Sequence, residues 1–226
     1  MKVSVIMPVY NELKTIDEIV RRVLAVPVDL ELLIVNDAST DGTGEALAAM
    51  RDPRIRLLTH ERNRGKGAAI RTAIPEATGD VIVIQDGDLE YDPAQIPTLL
   101  GPIERGLADV VYGSRFLGGP HRAHLFWHHV ANQFLTGFSN FLNNLNLTDM
   151  ETCYKCFRRE MLQSLRLRSD RFGFEPEVTA KLARRRARFY EVPISYFGRD
   201  YSEGKKIRWT DGVAAVAAVI RFRFFD

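Results

Sequence analysis

The chain has 226 residues, 46% hydrophobic and 27% charged, with a formal net charge of +2. This composition is ordinary for a globular protein and excludes a disordered or low-complexity chain, and so small a charge argues for no nucleic-acid partner. The length suits one large domain or two small ones, the two cysteines make no disulfide framework, and no apolar run reaches the ~18–20 residues that span a bilayer.

The pattern begins at once with an apolar strand over 3–7, broken by Pro8-Val9-Tyr10-Asn11-Glu12. No signal peptide precedes it, so the expected location is cytoplasmic, with any membrane contact peripheral. Ile16, Ile19, Val20, Val23 and Leu24 make one apolar helix face, capped by Thr15 or Asn11 and closed by Pro27. A second strand over 30–35 ends in the polar, turn-rich stretch 36–43, ahead of a helix at about 44–50. A third strand, Ile55–Thr59, leads through Arg64-Gly65-Lys66-Gly67 into a helix over 68–77. The fourth, Val81–Ile84, is four apolar residues ending in Gln85-Asp86-Gly87-Asp88.

Alternating strands and helices with short polar links predict a parallel sheet covered on both faces. Ligands of such sheets bind beyond the carboxyl ends of the strands. Tyr10 to Glu12, Asp37, Arg64 to Gly67, and Asp86 with Asp88 are all expected on that rim. Neither G-x-G-x-x-G nor G-x-x-x-x-G-K-[ST] is present. In a strand, residues two apart point the same way, so Asp86 and Asp88 can face one site. Paired carboxylates suit a hard cation, Mg²⁺ or Mn²⁺, that would hold a diphosphate; a solvated strand exit is the plain alternative.

The second half is less regular. A helix over 125–147 is rich in Phe and Leu, most of them core, with some facing a lipid tail or a membrane surface. His121, His124, His128 and His129 fit the spacing of no standard metal site. Cys153-x-x-Cys156 lies in a strand-like run whose i and i+3 positions face opposite ways, so the two read as ordinary thiols. A helix over 211–226 is too short to span a bilayer. It rests on a membrane interface, on the core or on another subunit of a homo-oligomer. Arg184, Arg185, Arg186, Arg188, Arg199, Lys205, Lys206, Arg208, Arg221 and Arg223 crowd the last fifth, and meet anionic lipid, phosphate or solvent.

Several segments, in order, carry a family pattern: VSVIMPVYNE at 3–12, LLIVNDASTDGT at 32–43, NRGKGAAIRTA at 63–73, TGDVIVIQDGDLEYDP at 78–93 and DVVYGSRF at 109–116. TDMETCYKCFRREML at 148–162, FGFEPE at 172–177 and YEVPISYFGRDYSEGKK at 190–206 follow. Together they resemble the family 2 glycosyltransferases with the GT-A fold, and within them the polyprenyl- or dolichyl-phosphate mannosyltransferase group. The resemblance implies a single α/β domain over 1–226 with a central mixed, mostly parallel sheet. Residues 1–110 would be the nucleotide-binding half. Residues 111–226 would be the acceptor half, with a mobile loop at 198–206 and the C-terminal helix.

By the same resemblance Pro8, Tyr10, Glu12 and Asp37 hold the base and ribose, with Lys66 on the same nucleotide-sugar rim. Asp86 and Asp88 bind Mg²⁺ or Mn²⁺ on the donor diphosphate, and Glu90 stands where relatives often have Gln near the metal. Arg115 matches an arginine near the phosphates and acceptor. Glu177 matches an acid beside the sugar, and is the first candidate base if the acceptor is a hydroxyl. Arg199 and Lys205 match a basic pair on the closing loop. The expected catalytic set is Asp88, Arg115, Glu177, Arg199 and Lys205.

The expected reaction is inverting transfer of a hexose from a nucleotide sugar, GDP-mannose first and UDP-glucose second. The acceptor is a lipid-linked phosphate, a polyprenyl phosphate at the cytoplasmic membrane face. The acceptor half departs from the pattern: HHVANQFLTGFS at 128–139 replaces a basic stretch with a Ser-Arg pair, and Thr152-Cys153-Tyr154-Lys155 replaces Gly-Ser-Phe-Arg. Asn36-Asp37 stands for two aspartates, Gly204-Lys205 for Ser-Lys, and the C-terminal spans of many relatives are missing. These departures keep open a soluble glycosyltransferase acting on a hydroxyl. A catalytically silent nucleotide-binding module and a nucleotidyltransferase are the remaining alternatives.

Overall fold

The computed structural model describes residues 1–118, 126–171, 173–198 and 209–225. Seven strands form one sheet: β1 (Val3–Val9), β2 (Leu30–Asn36), β3 (Ile55–Thr59), β4 (Val81–Ile84), β5 (Val110–Ser114), β6 (Lys155–Arg158) and β7 (Phe189–Pro193). Their order is β3-β2-β1-β4-β6-β5-β7, and only β6 runs antiparallel to its neighbours. The expected mixed, mostly parallel α/β sheet is therefore present.

Period-two alternation sends side chains into two cores. Val3, Val5 and Met7 of β1, Leu32 and Ile34 of β2, and Val81 and Val83 of β4 face one side. There they meet α1 (Ile16–Leu24), α2 (Thr43–Ala49) and α4 (Ile96–Glu104). Ile6, Leu33, Ile82, Ile84 and Tyr112 face the other side. That side is covered by α3 (Lys66–Ala73), α5 (Phe126–Asn143), α6 (Arg159–Gln163), α7 (Phe174–Arg184) and α8 (Trp209–Phe224). Strands buried on both faces have to be near-continuously apolar, which is why β2 and β4 read so clearly.

Several boundaries differ from expectation for local reasons. α3 starts at Lys66 and stops at Ala73, because Pro75 cannot donate a helical hydrogen bond and the chain tightens into a 3₁₀ turn, Ile74–Glu76. Thr15 begins α1 without a side-chain cap; its hydroxyl instead donates to the Gly87 carbonyl at 3.0 Å, tying α1 to the end of β4. The expected C-terminal helix is α8. It packs on α7, where Ala218 and Phe222 meet Ala180, and alongside α5.

Inserting β6 between β4 and β5 has a consequence for the rim. Being antiparallel, β6 starts where β4 and β5 end. Val83 pairs with Cys156 and Val111 with Cys156. Continuing those registers sets Cys153 opposite Asp86 and Thr152 opposite Arg115.

Candidate active site

β1, β2, β4 and β5 run the same way, so their carboxyl ends share one edge. Pro8 lies inside β1, and β4 leaves β1 after Ile84, where Pro8 has no N–H to extend the ladder. The next residues are stitched to the loop after β2. Asn11 N–H donates to Ser39 Oγ at 3.0 Å, Asn11 Oδ1 accepts from Thr40 N–H at 2.8 Å, and Glu12 N–H donates to Thr43 Oγ1 at 3.0 Å. Tyr10 stands exposed at the rim.

Asp37 is buried. Its oxygens accept from the Arg64 and Gly65 amides at 2.9 and 2.7 Å, and His60 Nδ1 lies 2.6 Å away. In this structure Asp37 shapes the Arg64–Gly65 turn. The glycines there are required by space. A Cβ on Gly65 would stand 2.4 Å from the Asp170 carbonyl oxygen, and one on Gly67 2.4 Å from that of Ser169.

That turn delivers Lys66 to the centre of the rim. Its Nζ lies 2.7 Å from Asp86 Oδ1, 3.6 Å from Glu175 Oε1 and 2.7 Å from Cys153 Sγ. Burial pulls the lysine pKa down, but Asp86, Cys153 and Glu175 outweigh it and hold the ammonium well above its ordinary value. Burial keeps the Cys153 thiol protonated, well above the usual cysteine range. Beneath lies a second buried layer. Glu175 Oε2 and Glu151 Oε1 have no hydrogen-bond partner. Burial, with Glu175 nearby, pushes the Glu151 carboxyl up to about 8. Lys155 Nζ donates to the Met150 carbonyl at 2.9 Å, and burial pulls its pKa down.

Asp88 and Glu90 follow on the same turn. Asp88 Oδ1 accepts from Glu90 N–H at 3.1 Å, and Glu90 Oε2 accepts from the Tyr196 hydroxyl at 2.7 Å. Among the described residues, no three His, Cys, Asp or Glu side chains gather at metal-binding spacing. The expected trio of Asp86, Asp88 and Glu90 is therefore not assembled. β4 ends at Ile84, so the same-face rule for alternate strand residues does not extend to these three.

Arg115, just past β5, forms a forked pair with the fully buried Asp149: Nε to Oδ2 at 2.7 Å and Nη2 to Oδ1 at 2.8 Å. Nη2 also donates to Asn132 Oδ1 of α5 at 3.1 Å, and the guanidinium lies 5.1 Å from the Tyr196 ring centroid. Tyr91 packs on Tyr196 and Tyr154 with centroids 5.1 and 5.3 Å apart, filling the gap between Arg115 and Cys153.

Glu177 does not line this rim. It is fully buried, accepts from the Arg168 and Ser169 amides at 2.7 Å each, and pairs with Lys181 Nζ at 2.7 Å. Two positions on a helix differ by about 200°, so with Glu177 turned to the 166–169 segment, Glu175 is the acid that faces Lys66. Arg199, Lys205, all but the first residue of the expected mobile loop 198–206, and His121 and His124 lie outside the described residues. Sequence reasoning read Cys153 as an ordinary thiol and did not single out Glu151, Glu175, Asp149 or Tyr196. All five sit in quoted motifs, but the side-chain directions of the first four depend on β6 being antiparallel and on the phase of α7.

Residues 4–166 match the family model described as Glycosyl transferase family 2. The chain belongs to glycosyl transferase family 2. This family 2 enzyme is 31% identical to undecaprenyl-phosphate mannosyltransferase of Micrococcus luteus, across 96% of this chain and 92% of that protein. It is 26% identical to undecaprenyl-phosphate 4-deoxy-4-formamido-L-arabinose transferase of Proteus mirabilis, over 90% of this chain but only 62% of that longer protein. Among solved structures, glucosyl-3-phosphoglycerate synthase from Mycobacterium tuberculosis, crystallised with Mn²⁺, UDP and glucosyl-3-phosphoglycerate, superposes with a TM-score of 0.74 at 20% identity, covering 98% of this chain and 79% of that one. At that identity the likeness establishes the GT-A fold and nothing finer. The glycosyltransferase chain has, among its described residues, no helix long and apolar enough to cross a membrane.

Proposed function

We propose that this glycosyltransferase moves a hexose from a nucleotide sugar to a polyprenyl phosphate, inverting the anomeric carbon by direct displacement. One observation carries the reading: the match to the Micrococcus luteus undecaprenyl-phosphate mannosyltransferase runs through nearly the whole of both chains. On this reading GDP-mannose is the first donor and UDP-glucose the second, with the reaction at the cytoplasmic membrane face. Residues 1–110 take the nucleotide and 111–226 the acceptor.

The rim chemistry is compatible. Asp86 holds an ammonium at 2.7 Å, so its surroundings already stabilise positive charge. Magnesium sites of this class use one or two carboxylates and leave the remaining positions to water and substrate phosphates. Asp86 and Asp88 fit that donor set and would hold Mg²⁺ or Mn²⁺, which neutralises charge on the departing diphosphate. Lys66 adds a fixed positive charge beside it, already oriented and needing little reorganisation. Arg115 is held rigid by Asp149, and its Nη1 makes no hydrogen bond to the described residues, leaving a donor for the acceptor phosphate. A phosphate monoester, with a second pKa of about 6, is already a nucleophile and needs no general base. This suits a site in which Glu177 is committed to backbone amides.

The test is transfer of radiolabel from GDP-mannose, and separately UDP-glucose, to a short polyprenyl phosphate with Mn²⁺, read in the organic phase. Label that stays aqueous with both donors, while nucleotide binding is intact, sinks the acceptor assignment and turns attention to hydroxyl acceptors.

A further inference from the structure

α5 turns a mixed face inward and a large apolar ridge outward. Thr136, Ser139 and Asn143 are buried, and Leu135, Phe138 and Leu142 beside them pack partly buried on the core. Thr136 Oγ1 accepts from the Met150 amide at 3.1 Å, and Asn143 Nδ2 donates to the Ser139 carbonyl at 3.0 Å. The face turned to solvent carries Phe126, Trp127, Val130, Phe134 and Phe141, which are 68, 74, 39, 62 and 83% exposed. Helical spacing gathers these five into a single arc of about 100°. A helix that meets water on its outer face shows the opposite arrangement. The 18 residues of α5 contain no Lys, Arg, Asp or Glu.

α8 packs beside α5, and exposed Phe224 and Phe225 lie at its C-terminal end. Arg221, exposed, and Arg223, half-buried, flank those rings. Lys181 of α7 lies 5.2 Å from the Phe222 ring centroid, which brings the Arg184 to Arg186 run at the end of α7 toward the same corner. Aromatic side chains on an uncharged face, with arginines at the edge, match a bilayer interface bearing anionic headgroups. A protein partner is oriented by directional polar contacts, and the ridge offers none; lipid requires none. The inner side of the same helix faces the site: Asn132 accepts from Arg115, and His129 packs edge-on against Phe116 at 5.0 Å.

We propose that α5 and the end of α8 form the surface that seats this enzyme on an anionic lipid bilayer, with Arg115 beneath the inner side of α5. The proposal deepens the polyprenyl phosphate assignment and rests on it, because a lipid-borne phosphate has to be met at the membrane surface.

The experiment is co-sedimentation with phosphatidylglycerol–phosphatidylcholine vesicles containing no polyprenyl phosphate, alongside transfer to a short-chain, water-soluble prenyl phosphate. The wild-type chain is expected to sediment with the vesicles, less so as salt rises. Phe134→Asp combined with Phe141→Asp should weaken vesicle binding about tenfold or more, leaving the melting temperature and short-chain transfer unchanged. Quenching by brominated lipid gives a second reading without a disruptive variant: the wild type should be quenched, and Trp127→Phe, which retains Trp209, should lose most of that quenching. Wild-type protein that stays in the supernatant overturns the proposal, as does a double variant that binds like wild type. A concentration-dependent dimer abolished by the double variant, with no vesicle binding, overturns it in favour of a second copy of the chain. Vesicle binding as expected, with no transfer to any prenyl phosphate, supports the docking surface and sinks the acceptor assignment instead.

Discussion

Cys153 lies opposite Asp86, and the Lys66 ammonium joins them, 2.7 Å from the sulfur and 2.7 Å from the carboxylate. Lys66 is the only cation placed to balance both Asp86 and Glu175 among the described ion pairs. Lys66→Met should therefore remove the cation shared by Asp86 and Glu175 and cost about 3 kcal/mol in urea denaturation, the low end of the range for breaking a buried pair. Lys66→Arg should recover part of that stability but little transfer activity, because the longer planar group cannot hold Asp86 and Cys153 in the same geometry. Stability unchanged in Lys66→Met would show that the cluster is not charged as described.

Asp109 gives the clearest pH dependence. Its carboxylate pairs with Arg188 at 2.7 Å and lies 3.4 Å from Arg158, and the Arg188 hydrogen bonds hold its pKa at about 2 against 3.8 for the free group. The folded pKa is the lower one, so this contribution is complete above pH ~4 and is lost as pH falls through about 2. Arg188 is half exposed, so solvent screening trims the effect to about 1–2 kcal/mol. Asp109→Asn should lower the urea midpoint at pH 7 and have a much smaller effect at pH 2. An equal effect at both pH values would rule the ion pair out as the cause.

Glu177→Gln separates support from chemistry. The amide keeps one acceptor but loses the charge that holds the Arg168 and Ser169 amides and Lys181. The expected outcome is a loss of about 2–3 kcal/mol in stability, with the pH profile of kcat unchanged at a temperature where the variant is folded. A vanished acidic limb in that profile would restore Glu177 as a base.

Nucleotide and metal should act together on thermal stability. With Mn²⁺ present, GDP or UDP at about a hundred times Kd should raise the melting temperature on the order of 5 °C, and EDTA should abolish most of the shift. Asp88→Asn should melt like wild type without ligand but respond weakly to nucleotide with Mn²⁺. A full response in Asp88→Asn would remove that carboxylate from the metal assignment.

The first four strands and the rim could be read from sequence because each strand is buried on both faces and its pattern is local. Val81 to Ile84 says strand whatever its neighbours are. β6 is different. Nothing in Lys155 to Arg158 states that it runs against β4 and β5, because pairing direction is a long-range property. With it went the placement of Cys153, Glu151 and Asp149. Which of Glu175 and Glu177 faces Lys66 was not legible for a smaller reason: it needed the phase of α7, and Gly173 before it hides where the helix begins. That Asp37 anchors the Arg64–Gly65 turn was not legible either, because a carboxylate at a strand end looks free until that turn folds back over it.

The placement of β6 also sets an order of assembly. β1 to β4 arise from consecutive strand–helix–strand units, and each can pair with a strand already made. β5 cannot. It follows β4 directly in the chain but never hydrogen-bonds to it, so on the ribosome it has no partner until residues 155–158 emerge and wedge between them. Until then β4 has one unpaired edge. A growing chain is therefore exposed to mispairing over a defined interval, from the end of β4 to the end of β6. That interval contains α5 with its outward aromatic face, which makes it the stretch of synthesis where a chaperone or the membrane itself has most to protect.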